Sequence, residues 1–219
     1  MDQYLRDEIF APLGVTDFSW TLDPAGNPHG MSGLQIRALD LARIGQMMLQ
    51  GGTWKGKTIV PRSWVARSTA AGQPFRVTCG LLWWRLGDFR YVAASDELIA
   101  AWRKGGASDA FIRKMLPLKD VVYTDAEQMR AAFDRIFPAA NGQPTMHDEN
   151  TWMKGLPRSK VLPGPTYGYT AEGYLGQYLV VIPRHRLVAV RQMRSPDDPS
   201  APSDSFDEFP DMVRALVGR

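Results

Sequence analysis

Apolar residues set the period of this chain in blocks. Leu5 and Ile9 fall on one face beside Tyr4, and Pro12 and Gly14 follow, so the first fourteen residues predict an amphipathic helix. Residues 16–33, rich in Gly, Pro, Asp and Ser, predict an irregular loop. A stronger helix follows over 38–50, with Leu41, Ile44 and Met48 as its stripe, Asp40 near the positive end of the dipole, and Gly51 and Gly52 to stop it. A tight turn then leads to a second helix that starts at Ser63, after Pro61. In "CGLLWWRLGDFRYVA" two strands flank Gly87-Asp88, a dipeptide that predicts a hairpin turn.

The middle of the chain changes character. Over 94–168 only two helices are predicted, 96–103 and 125–137, among Gly-, Pro- and Lys-rich connections. Neither offers enough apolar surface for a core alone, so 94–168 reads as an insertion or lid between 1–93 and 169–219. From 176–182 and 187–193 two apolar runs face each other across Pro183 to Arg186, a hairpin that needs cover on both faces. A last helix over 206–217 offers Phe206, Phe209, Val213 and Leu216. The fold class expected is α+β, an antiparallel sheet layered with helices in a single domain.

Composition narrows the chemistry. With 219 residues, 44% of them hydrophobic, the chain can bury a sizeable core. A net charge of +3 from 26 basic and 23 acidic residues is too small and too scattered for a nucleic-acid partner. The densest basic stretch, Arg184-His185-Arg186, falls at a turn, and His185 there lacks a nucleophile to serve as a base. Cys79 is the single cysteine, so no internal disulfide forms, and beside "GLLWW" it reads as a small buried hydrophobe. His29, His147 and His185 lie far apart with no second ligand at metal spacing, so neither metal nor cofactor is expected. No run approaches the roughly 20 apolar residues of a membrane span, and the first fourteen residues carry charges where a signal peptide needs an apolar core. Localisation stays open.

The stretch "YTAEGYLGQYLVVIP" places Gly173 and Gly176 at the mouth of a strand. Glycine there either lets a ligand or backbone come close or lets a twisted strand pack under a helix. Read with "YLRDEIFAPLGVTDFSW", "GMSGLQIRALDLARIGQMMLQGGTWKGKTIVPRSWV", "GLLWW" and "LVAVRQM", the stretch resembles the C-terminal part of the serine beta-lactamase and penicillin-binding-protein-like hydrolases, the group of class C beta-lactamases and related esterases. The resemblance covers about residues 3–84 and 169–217. It implies a beta-lactamase/transpeptidase-like fold, incomplete at its N-terminal side, and a small ester or amide substrate handled through an acyl-enzyme.

Three motifs organise that family: Ser-x-x-Lys with the nucleophile, Tyr-x-Asn or Ser-x-Asn, and a Lys-Thr-Gly or His-x-Gly strand. A serine must lose its proton to attack a carbonyl, and backbone N–H groups must hold the resulting oxyanion. No Ser here has Lys three positions on, and no Tyr or Ser has Asn two positions on. The third motif has a counterpart in Ala171-Glu172-Gly173, with Ala171 where the family shows Lys or His. The resemblance therefore implies Ala171, Glu172 and Gly173 beside the substrate and the backbone N–H of Tyr174 in the oxyanion hole. Glu172 as a base, or Asp109 with a serine of the middle segment, finds no support in spacing. A non-catalytic module that keeps the sheet for binding is the alternative. If the resemblance holds, the two strands that the family adds from its N-terminal region beside 187–193 are absent here, and 187–193 should form an open edge of the sheet, a route to self-association.

Overall fold

The computed structural model describes residues 2–30, 32–73, 76–138, 156–193 and 206–218. Two compact units emerge, one of residues 1–86 with 166–219 and one of 87–165.

The first unit begins with α1 (Asp2–Tyr4), a π-wound stretch Leu5–Phe10, and α2 (Ala11–Leu13). Gly14 ends this helical run in the left-handed region at φ 71°, while Pro12 sits inside α2, where a missing N–H is tolerated. Phe10 and Leu13 are buried with Leu5 and Ile9 packed beside them, whereas Tyr4 is exposed. Residues 16–33 are more ordered than their composition suggests. β1 (Phe18–Trp20) pairs antiparallel with β2 (Leu34–Ile36), because Phe18 and Trp20 pack on the core and the Trp20 indole donates to the carbonyls of His29 (2.6 Å) and Ser32 (2.9 Å).

The helix expected over 38–50 forms as α3 (Ala38–Leu49). Met48 is buried as expected, but the closest approach to the sheet belongs to Gly45, where a Cβ would lie 2.6 Å from both Leu179 Cδ1 and Val188 Cγ1. At its start Asp40 is 1% exposed and binds Arg37 Nε and Arg43 Nη1, each at 2.7 Å, so it is a buried ion-pair centre as well as a dipole partner. The chain then makes the short hairpin β3 (Thr53–Trp54) and β4 (Lys57–Thr58), followed by α4 (Arg62–Thr69).

Gly87-Asp88 does not make a hairpin. β5 (Trp84–Gly87) and β6 (Arg90–Val92) belong to different sheets. Asp88 N–H donates to Pro165 C=O (2.9 Å), so the chain runs through the dipeptide extended alongside residues near 165, and the pairing supplied there outweighs the local turn preference. Trp83, just before β5, packs edge-on against Tyr169, and Trp84, the first residue of β5, is exposed. Cys79 is only half-buried, which corrects the expectation of a buried one.

The second unit contains β6, three capped helices, β7 (Val122–Tyr123) and β8 (Lys160–Leu162), with β6 between the other two strands. Ser95, Ser108 and Asp125 accept from the third N–H of α5 (Asp96–Lys104), α6 (Asp109–Met115) and α7 (Ala126–Ile136) respectively. The sequence pattern missed α6, only seven residues long, and α6 is what completes a core here: Phe111, Ile112 and Met115 join Trp102, Phe133 and Phe137. No single helix holds this core; three share it. Trp102 is fully buried, with its indole donating to Pro157 C=O at 2.9 Å.

Returning to the first unit, β9 (Thr166–Gly173), β10 (Gln177–Ile182) and β11 (Leu187–Arg191) complete a four-stranded sheet in the order β11-β10-β9-β5. Both hairpins are antiparallel, with Val180 opposite Ala189 and opposite Thr170. Alternation in β10 serves two cores. Val181 packs with Met47 and Phe10, while Tyr178, Val180 and Ile182 pack with Val213 of α8 (Phe209–Ala215). This is the α+β class expected, an antiparallel sheet layered with helices. The last helix is shorter than 206–217: Phe206 precedes it at φ 51°, and Leu216 is exposed rather than core-facing.

Candidate functional site

β9 ends in a tight connection, Tyr174-Leu175-Gly176, before β10 returns with Gln177 opposite Gly173. Leu175 and Gly176 hold φ of 64° and 69°, so two successive residues turn the chain through the left-handed region. Leu175 accepts this strain while buried. Two contacts from β11 and the residues after it hold the turn. Arg191 Nη1 donates to Gly176 O (2.6 Å) and Leu175 O (3.2 Å), and the Gln177 amide exchanges hydrogen bonds with the Met193 backbone at 2.6 and 2.8 Å.

The residues singled out from the sequence are contiguous but do not share a face. Ala171 lies opposite Leu179 and Gly173 opposite Gln177, so these two point to the α3 side, and Glu172, opposite Tyr178, points to the α8 side. A ligand could meet all three only through the backbone. β5 has four residues against eight in β9, and Asp88 beside Pro165 places β5 along the first half. The second half, through Gly173, keeps an open edge among the described residues. At its end the backbone N–H of Tyr174 makes no hydrogen bond among the described residues, and the Tyr174 side chain is exposed. A Cβ on Gly173 would come within 3.1 Å of Gln177 Cβ, so the glycine is needed for close strand packing at the turn as well as for an open approach.

On the α8 side, burial first and then the Asp207 carboxylate push the Glu172 carboxyl above its usual range. Tyr178, next to both, is pushed up to about 12 by burial and then by Glu172 and Asp207. Tyr169 is likewise raised to about 12 by burial alone. Glu172 thus sits in an environment that disfavours its charge, although its side chain reaches solvent. Sequence reading missed Arg191, and one signal was available: a lone arginine closing an otherwise apolar strand, "LVAVR".

The other candidates lie elsewhere. His185 is in the 3₁₀ turn Pro183–His185, and Asp109 opens α6 in the second unit. His147 lies outside the described residues. Among the described residues no group of three His, Cys, Asp or Glu side chains is placed to hold a metal, and no helix is long and apolar enough to cross a membrane.

No protein-family model matches the chain. Among solved structures it is similar to the "Crystal structure of putative beta-lactamase from Bacteroides dorei DSM 17855", at 14% identity with a TM-score of 0.48 over 98% of this chain and 50% of that one. This chain therefore spans about half the length of that solved chain.

Proposed function

We propose that this chain is the sheet-bearing, C-terminal part of a beta-lactamase-like serine hydrolase, in which the backbone N–H of Tyr174 stabilises the oxyanion formed on an ester or amide. The observation that carries the reading is the Tyr174 amide, without a hydrogen-bond partner among the described residues, at the end of a strand edge that is open among those residues and on a turn held by Arg191. A main-chain donor of this kind acts without reorganisation, and one such donor is worth about 10²–10³ in kcat. Ala171 in place of a cation leaves the donor in place and removes a partner for a substrate carboxylate. Ala171, Glu172 and Gly173 would border the acyl group through their backbone. The nucleophile and its base correspond to no Ser-x-x-Lys or Tyr-x-Asn in these 219 residues. The second reading, a non-catalytic binding module, draws on the same open edge without a nucleophile.

The chain should not turn over nitrocefin or a p-nitrophenyl ester above background. A ¹⁵N-labelled sample titrated with a methylphosphonate monoester, a mimic of the tetrahedral oxyanion, should shift the Tyr174 amide resonance. An unmoved amide would remove the oxyanion assignment, and stoichiometric labelling by a fluorophosphonate would show a nucleophile within the chain. An in-frame Ser-x-x-Lys encoded upstream of the Met1 codon would favour the hydrolase part over the module.

A further inference from the structure

We infer that the turn 80–83 and the C-terminal end of α4 form a docking surface for anionic lipid, with Leu81 and Leu82 entering the acyl boundary and the guanidiniums of Arg67 and Arg76 meeting lipid phosphates. This goes beyond the hydrolase reading and does not depend on it.

The small net charge of the chain conceals an uneven distribution. Between Asp40 and Asp88 lie seven basic residues and no acidic one, which leaves 19 basic and 23 acidic residues elsewhere. Four of the seven tryptophans, Trp54, Trp64, Trp83 and Trp84, fall in the same stretch. Positive charge is thus concentrated together with the side chain that favours a boundary between water and lipid.

The fold gathers part of this stretch into one patch. Cys79 lies opposite Trp84, and Gly80 N–H donates to Trp83 C=O (2.8 Å), so Leu81 and Leu82 occupy the two corners of a tight turn. Leu82 is 96% exposed and holds φ 63°, at a corner where glycine or asparagine is the relaxed choice. Neither burial nor backbone preference accounts for leucine there, whereas an apolar partner outside the fold does. Leu81 N–H donates to Ser68 C=O (2.7 Å), which sets the turn against the last residues of α4. On that helix Trp64, one turn before Ser68, is 49% exposed, with the Arg67 guanidinium 5.8 Å from its ring centroid. On the strand that leaves the turn, exposed Trp84 carries the Arg76 guanidinium at 5.6 Å. Neither arginine forms an ion pair among the described residues.

These parts sort by depth at a lipid surface. Leucine enters the acyl boundary, indole prefers the interface, and a guanidinium without a carboxylate binds phosphate. A nucleic-acid backbone would offer phosphate but nothing apolar for Leu82, and this decides for lipid. The contact is interfacial: among the described residues no helix is long and apolar enough to cross a membrane.

Cosedimentation of the purified chain with vesicles tests this. Phosphatidylcholine vesicles with phosphatidylglycerol at about 30 mol% should bind the chain and shift its tryptophan emission to the blue, and pure phosphatidylcholine should not. Binding should fall away in about 0.5 M NaCl. Leu82→Asn, suited to the left-handed corner, should weaken binding about tenfold with a melting temperature at least that of the parent. Arg67→Gln combined with Arg76→Gln should weaken it about 25-fold, at about fivefold per charge, and Arg130→Gln, exposed on α7 of the second unit, should leave it unchanged. No binding to the anionic vesicles, equal binding to the neutral ones, or a Leu82→Asn variant that binds like the parent would overturn the proposal. So would a single-stranded oligonucleotide that binds more tightly than the vesicles at equal phosphate concentration. Ester turnover and the Tyr174 resonance are read without lipid, so the two readings fail separately.

Discussion

Arg191 Nη1 lies 2.6 Å from the carbonyl oxygen of Gly176, reaching from β11 to the turn that joins β9 and β10. With the second bond to Leu175, a cation holds two carbonyls of a turn whose residues both have positive φ. A hydrogen bond to a charged group contributes about 1.5–3 kcal/mol, less where solvent reaches it. Arg191→Met keeps part of the aliphatic stem and removes the fork, along with the guanidinium's seat 4.6 Å over the Phe206 ring. It should lower stability by about 1–3 kcal/mol in urea unfolding and broaden the Tyr174 and Leu175 amide resonances, and Arg191→Lys should recover only part of this. Sharp, unshifted turn resonances in Arg191→Met would show that the turn holds itself.

Gly45 opposes two rules to each other. Alanine in a helix interior is favoured over glycine by about 1 kcal/mol. Here the added methyl would meet Leu179 and Val188 at 2.6 Å, and overpacking typically costs about 1–3 kcal/mol. Gly45→Ala should therefore lower the melting temperature, read by circular dichroism. An increase would mean that α3 can lift from the sheet at little cost.

Glu172 should make stability depend on pH. Its carboxyl is raised from the ordinary 4.5 in the folded chain by burial and Asp207, so the fold favours the protonated form. That contribution is fully present below the unfolded value and is lost as pH rises through the folded one. Glu172→Gln should accordingly raise the melting temperature near pH 7, and the difference should shrink toward zero below about pH 4. A pH-independent difference would point to packing and not to charge.

Tyr169 and Tyr178 carry the alkaline counterpart. Burial raises both to about 12 from 10.0, so their contribution is complete below pH 10 and is lost as pH rises through about 12. Absorbance titration of the phenolates should show a late component that coincides with loss of the far-ultraviolet signal. Tyr169→Phe should remove part of that component, and a titration completed while the fold is intact would contradict the assigned burial.

Sequence alone determined the elements whose apolar pattern is local and dense. The run from Gln177 to Arg191 could only be a hairpin covered on both faces, and the stripe around Met48, closed by Gly51 and Gly52, could only be a helix on a core. The glycines at the mouth of β9 were equally legible, because glycine spent where a side chain could pack needs a reason. Tertiary structure decided the rest through competition between distant partners. Gly87-Asp88 carries a strong turn preference, yet segments remote in sequence offered extended pairing on either side of it, and a local preference of this size yields to a ladder of hydrogen bonds. The seven residues of α6 are too few to show a period, so their place in a three-helix core became visible only once Trp102 and Phe137 stood beside Phe111. The same holds at the candidate site. That Ala171, Glu172 and Gly173 are contiguous is written in the chain; that Glu172 faces away from the other two, and that Arg191 holds the turn beyond them, follows from strand register and from a contact fifteen residues long, which no local pattern encodes.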